Sequence, residues 1–163
     1  MARLGLRAVR YADRDASLLI AQVQREYVLR YGGPDASPVD EAEFASPLGL
    51  FLVGYQGERP VAMGGWRRHG ADDPETAWAG AVAEIKRMYV APQARGQGYA
   101  RAVLAELEVT AQAAGLDWLL LETGHKQPEA IALYESSGYR RVPAFGHYAC
   151  EPLSVHLGKQ LLP

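Results

Sequence analysis

The residues of this chain best arranged for chemistry are glycines. Between Tyr89 and Ala100 the sequence reads YVAPQARGQGYA. A strand-like run containing Ile85, Met88, Tyr89 and Val90, with Glu84, Lys86 and Arg87 interspersed, is stopped by Pro92. Arg95-Gly96-Gln97-Gly98 follows, and Ala100 opens a helical pattern. A strand, a glycine loop and a helix start gather unpaired backbone N–H groups at one point and aim a positive helix end at an anion. A Cβ would keep a phosphate away from that backbone. The chemistry is therefore binding of a phosphate- or pyrophosphate-bearing ligand, held mostly by main chain; a bare βα turn is the alternative reading. No Gly-Lys-[Ser/Thr] ends the loop, so it is not a P-loop. Arg101 stands where a dinucleotide fingerprint needs its third glycine.

Other reactive groups are sparse. Cys150 is the single cysteine, so no intrachain disulfide can form, and a cytoplasmic home is expected. Four histidines and that cysteine show no zinc-ligand spacing, so no metal is expected. The absence of a G-x-S-x-G elbow disfavours a hydrolase. Net charge is −2, from 17 basic and 19 acidic residues, which gives no electrostatic case for nucleic acid or an anionic membrane. No apolar run approaches the length of a membrane span, and the first residues lack the apolar core of a signal peptide.

The elements that must position the loop follow from periodicity. Leu4–Arg10 reads as a strand, and Asp13 caps a helix carrying Ala16, Leu19, Ile20, Val23 and Tyr27, ended by Gly32-Gly33-Pro34. Ser37–Phe44 reads as a short second helix. Leu50–Tyr55 and Val61–Arg67 form a hairpin, with Gly64-Gly65 marking a bulge or a close backbone approach. After the polar loop His69–Glu75, Trp78 leads into the third strand of a meander. Val103, Leu104, Leu107 and Ala111 line a helix ended by Gly115. Trp118–Leu121 reads as a buried strand, parallel to the one before the helix and joined by a right-handed crossover. Pro128 opens a helix carrying Ile131, Leu133 and Tyr134, and Tyr139–Val142 and Leu153–Leu157 are the last strands. One α/β domain over residues 1–163 is expected.

Gln93-x-x-Gly96-x-Gly98-x-Ala100 after a strand, with Leu133-Tyr134-Glu135-x-x-Gly138-Tyr139 downstream, resembles the GCN5-related N-acetyltransferases. The element order is similar over nearly the whole chain. The resemblance implies a mixed, mostly antiparallel sheet of about six to seven strands, flanked by about four helices, with one parallel β-α-β unit. It implies that main chain of Arg95, Gly96, Gln97, Gly98, Tyr99 and Ala100 cradles the pyrophosphate of acetyl-CoA, with Lys86, Arg87, Arg95 and Arg101 available for extra charge contacts. The backbone of Met88, Tyr89 and Val90 would pair with the pantetheine, in a gap where two strands splay. Tyr134 would protonate the leaving thiolate, as a phenol can; otherwise it is a core tyrosine. Glu84 would be the general base, or else a salt-bridge partner. Glu122, His125, His147 and Tyr148 lie where the family builds its acceptor pocket. The expected partners are acetyl-CoA and an amine, small rather than polybasic, with no nucleic acid or membrane; a homodimer is common among relatives. A non-catalytic acyl-CoA-binding module and a structural domain without coenzyme are the competing functions.

Overall fold

A computed structural model describes residues 3–69 and 80–162; Trp78 and the polar loop beyond His69 lie outside the described residues. The strands are β1 (Gly5–Ala8), β2 (Gly49–Gln56), β3 (Arg59–Arg68), β4 (Val82–Val90), β5 (Trp118–Gly124), β6 (Arg140–Arg141) and β7 (Ser154–Gln160). The helices are α1 (Arg14–Tyr31), α2 (Tyr99–Ala113) and α3 (Pro128–Ser136). All seven strands join one sheet in the order β1-β2-β3-β4-β5-β7-β6. Among the described strands only β4 and β5 run parallel, as the crossover through α2 requires.

Strand alternation divides the core into two faces. Phe51, Val53, Tyr55, Met63 and Tyr89 pack with Ala16, Leu19 and Val23 of α1. Leu52, Ala62, Trp66, Ile85 and Val90 point the other way, against Val103, Leu104, Leu107 and Ala111 of α2. Leu107 is fully buried, and a side chain of that size contributes about 2 kcal/mol by leaving water. Asp13 caps α1, its carboxylate accepting from Asp15 N at 2.8 Å and Ala16 N at 3.4 Å. Gly32 ends that helix at φ 80°.

The expected second helix over Ser37–Phe44 is one helix too many. Only a 3₁₀ turn, Glu41–Phe44, forms there. Asp40 engages its side chain in a capping box with Glu43, and Pro38 disfavours helix at Ser37 before it. Phe44 is the one buried residue of the turn, too little apolar surface to hold a longer helix against the sheet.

Gly64-Gly65 meets both expectations. The β3–β4 register slips between Met63 and Gly65, since Met63 faces Tyr89 and Gly65 faces Lys86, leaving one extra residue in β4. A Cβ at Gly64 would stand 2.6 Å from Met88 Sδ and 3.0 Å from Val103. The parallel pairing of β4 and β5 runs only from Val82↔Trp118 to Glu84↔Leu120. Beyond it the two strands part, while each keeps its other neighbour along the sheet. No helix among the described residues is long and apolar enough to cross a membrane.

Candidate active site

The parting of β4 and β5 opens a cavity of about 320 Å³, lined on one side by Ile85, Lys86, Arg87 and Met88 and on the other by Leu121, Glu122 and Gly124. The extra β4 residue sits at Arg87, whose φ of +61° is a left-handed value rarely adopted by a residue with a side chain. Past the bulge the backbone directions are fixed. Ala91 N donates to Val61 O at 2.8 Å, and Tyr89 is paired to Met63. Because trans peptides point their N–H and C=O oppositely, the Val90 N–H and the Met88 and Val90 carbonyls face the gap. Arg95 Nε donates to Val90 O at 2.9 Å; Val90 N–H and Met88 O have no partner across the gap among the described residues. Tyr89 instead turns its main chain toward β3, and its hydroxyl donates to Gln22 at 3.3 Å.

The glycine loop lies at the exit of β4. A 3₁₀ turn, Pro92–Ala94, leads into Gly96 at φ 77° and Gly98 at φ 80°, positions only glycine takes without strain. Gly98 is the N-cap of α2, and no side chain caps that end. The first backbone bond of the helix is from Ala102 N to Gly98 O at 3.0 Å, so the preceding N–H groups are not used within it. Among the described residues no atom beyond the adjoining residues lies within 4 Å of where a Cβ would stand at Gly96 or Gly98, which leaves this backbone open to an approaching anion. Tyr99 turns its ring into the core, where its hydroxyl accepts from Gln56 at 3.2 Å, and offers the loop main chain only.

The basic side chains expected beside the phosphates are engaged elsewhere. Arg95 pairs with Glu26 at 2.8 Å, and Arg101 donates to Ser137 and Ser136 at 3.1 and 3.0 Å. Lys86 reaches Asp35 at 3.2 Å, and Arg87 binds the same carboxylate.

Tyr134 reaches the gap from α3, buried, with its ring edge-on to Tyr139 at 5.7 Å between centroids. No hydrogen bond to its hydroxyl forms among the described residues. Burial, with the nearby Tyr27 and Glu122, pushes its pKa well above the usual phenol value, so it holds its proton.

Glu84 is buried and Glu122 half-buried, with opposite consequences. Arg67 Nη2 donates to Glu84 Oε1 at 3.2 Å, His69 Nε2 lies 3.3 Å from Oε2, and Lys86 Nζ lies 3.9 Å away. Burial pushes the Glu84 pKa up, but the adjacent His69 imidazole and the Lys86 and Arg67 charges outweigh it and hold the carboxyl below its usual value. Glu122 has one hydrogen bond among the described residues, from Ser154 Oγ to Oε1 at 2.8 Å. Burial dominates there and pushes its pKa up.

A second cavity of about 330 Å³ lies beside the first, lined by Arg67, His69, Glu84, Phe145 and His147. Lys86, Glu122 and Tyr148 line both cavities and mark their boundary. The loop between β6 and β7 forms a roof: Phe145 is buried against the edge of His156 at 5.0 Å, and a Cβ on Gly146 would stand 4.0 Å from Glu84 Oε2. His147 is exposed at the rim, stacked edge-on to Tyr148. His125 is exposed, lines neither cavity, and joins the fold through its backbone N–H to Leu153 O at 2.8 Å. Among the described residues no group of three or more His, Cys, Asp or Glu is gathered to hold a metal ion. Sequence reading missed Asp35, Arg67 and His69. Asp35 reads only as a turn residue after Gly-Gly-Pro, because its partners Lys86 and Arg87 lie 51 and 52 positions away.

Comparison with known proteins agrees with this geometry. The model of the Acetyltransferase (GNAT) family matches residues 20–139. An IAA acetyltransferase from Azospirillum brasilense is 46% identical over 143 residues, 88% of each chain. A structure of a candidate acyl-CoA N-acyltransferase from Klebsiella pneumoniae superposes with a TM-score of 0.78 at 29% identity, covering 99% of this chain and 100% of that one. The fold recurs in an IAA acetyltransferase from Bacillus cereus, with a TM-score of 0.66 at 19% identity over 98% of this chain and 100% of that one. The glycine loop, the parted strands and the buried tyrosine thus sit in a fold and sequence shared with these enzymes, and the chain belongs to the GNAT acetyltransferase family.

Proposed function

We propose that this protein transfers an acetyl group from acetyl-CoA to a primary amine of a small-molecule acceptor by direct attack. The observation that carries the reading is the cleft between β4 and β5, where a proton-holding phenol, an under-bonded carboxylate and an open strand edge face one space. The α2 N-terminus and the Gly96–Gly98 backbone would take the pyrophosphate, and Val90 N–H with Met88 O would pair with the pantetheine amides.

In the step itself the amine nitrogen forms a bond to the thioester carbonyl carbon, whose oxygen gathers charge. Another N–H on the gap side of β4 would stabilise that charge. The C–S bond then breaks, the thiolate takes its proton from Tyr134, and the proton shed by the acylated nitrogen restores the Tyr134 phenol through solvent. The acceptor must first lose a proton. Glu122 suits that task better than Glu84, since its raised pKa and an oxygen without a partner among the described residues make it the better base. Glu84 then anchors Arg67 and His69 at the acceptor side. Holding two reactants in one cleft supplies much of the catalysis, so few side chains need to be chemical.

The test is a thiol-release assay with acetyl-CoA across a panel of small primary amines, with mass spectrometry of the products. IAA, from the name of the Azospirillum relative, should be assayed beside the amines as a separate candidate acceptor. Thiol release with matching N-acetylated product is the expected result. Stoichiometric acetyl-CoA binding without release from any panel member would instead mark an acyl-CoA-binding module.

A further inference from the structure

We infer that Asp35 is a positioning residue for acetyl transfer, one carboxylate that fixes both the bulged strand facing the donor and the loop roofing the acceptor side. The inference rests on the acetyl-transfer reading above.

Asp35 follows α1 in the turn Gly32-Gly33-Pro34. Its own backbone is held from α1: Asp35 N donates to Gln24 Oε1 at 2.8 Å, and Gln24 Nε2 donates to Asp35 O at 3.4 Å. Its Oδ1 accepts from Ser37 N at 2.9 Å, Ser37 Oγ at 2.7 Å and the Tyr148 hydroxyl at 2.8 Å. Its Oδ2 accepts from Lys86 Nζ at 3.2 Å and from Arg87 Nη1. Five donors exceed the roughly four lone-pair directions of a carboxylate, so no capacity remains for a substrate. Asp35 therefore acts through its partners.

Those partners lie on opposite walls. Arg87 is the bulge residue, at φ +61°, and its buried guanidinium has Tyr11 Oη at 3.3 Å as its other partner. A side-chain-bearing residue stays at such a φ only when its surroundings hold it there, and Asp35 supplies the charge partner that does so. The bulge in turn sets the direction of the strand edge that faces the thioester. On the other wall, the Tyr148 hydroxyl donates to Asp35 and accepts from Ala36 N at 2.8 Å, which fixes the direction of its proton and ties the β6–β7 loop to the α1 turn. Tyr148 borders both cavities. Lys86, at the same boundary, also donates to Ser37 Oγ at 2.6 Å.

The two arms make separable predictions. Steady-state kinetics would use acetyl-CoA and the amine giving the fastest thiol release in the panel, on wild type, Asp35→Asn, Tyr148→Phe and the double variant. Asp35→Asn is expected to lower kcat by about tenfold to a hundredfold, the scale of an ångström-level misplacement, while acetyl-CoA affinity by calorimetry stays near wild type. Tyr148→Phe cuts only the roof arm and should raise the acceptor KM with kcat little changed. The double variant should raise that KM no further than the larger single effect, since Asp35 acts on the roof only through the Tyr148 hydroxyl. Wild-type kcat in a folded Asp35→Asn would overturn the inference. So would an unchanged acceptor KM in Tyr148→Phe, a variant that keeps its ring and decides the matter even if Asp35→Asn does not fold. Failure of the wild type itself to release thiol would sink the acetyl-transfer reading, a result distinct from either.

Discussion

Glu84 and Glu122 stand on adjacent strands, and their surroundings drive their proton affinities apart. Glu84 gathers Arg67, His69 and Lys86, while Glu122 keeps a single hydroxyl partner among the described residues. The pH profile can separate them. A carboxyl whose pKa is raised becomes a competent base only as pH rises through that value, so kcat/KM should climb with a midpoint above the ordinary glutamate value of about 4.3. Glu122→Gln is expected to remove this limb and to lower kcat by about a hundredfold or more. An unchanged limb in that variant would return the proton to water or to Glu84. Tyr134→Phe should cut kcat by a similar factor with acetyl-CoA affinity nearly unchanged; normal thiol release would take Tyr134 out of the mechanism. Tyr134 was legible as a candidate from its Leu-Tyr-x-x-x-Gly setting. The ranking of the two glutamates was not, because Arg67 and His69 approach Glu84 only through the sheet pairing of β3 with β4.

At the scale of elements, the β4-α2-β5 unit would carry the proposed donor site. Its outline was plain in the sequence because the signals are local: an apolar strand, two glycines, a helical stripe. The short 3₁₀ turn at Glu41–Phe44 was read too long, since Ser37–Phe44 has the composition of a helix start without the buried face that would sustain it. The gap itself depends on a bulge at Arg87 and on two strands parting after Glu84, features of tertiary geometry with no local signature. Gly98 permits a direct check. Gly98→Val would force a β-branched residue to φ 80° and place its side chain on the open side of the loop, so acetyl-CoA should bind at least about tenfold more weakly. Equal affinity, measured by calorimetry on a variant with a native circular dichroism spectrum, would move the pyrophosphate away from this loop.

For the molecule as a whole, one sheet carries α1 on one face and α2 on the other, and Asp35 ties the α1 turn to β4 and to the last loop. That tie should show in stability as a function of pH. Burial alone would raise the Asp35 pKa, but Lys86, Ser37 and Arg87 outweigh it and hold the carboxyl far below its unfolded value of about 3.9. A depressed carboxyl stabilises the fold fully above its unfolded pKa and loses that contribution as pH falls toward the folded one. Asp35→Asn should therefore cost on the order of 3 kcal/mol near neutrality, with the difference from wild type shrinking below about pH 4. Urea titrations at several pH values would show it, and a difference independent of pH would contradict the charge account.

The claim on which the rest depends is that the glycine loop and the parted strands hold acetyl-CoA. Calorimetric titration of the wild-type protein with acetyl-CoA tests it most directly. Saturable binding at one site per chain is the predicted result, and the absence of any binding to acetyl-CoA would contradict the account.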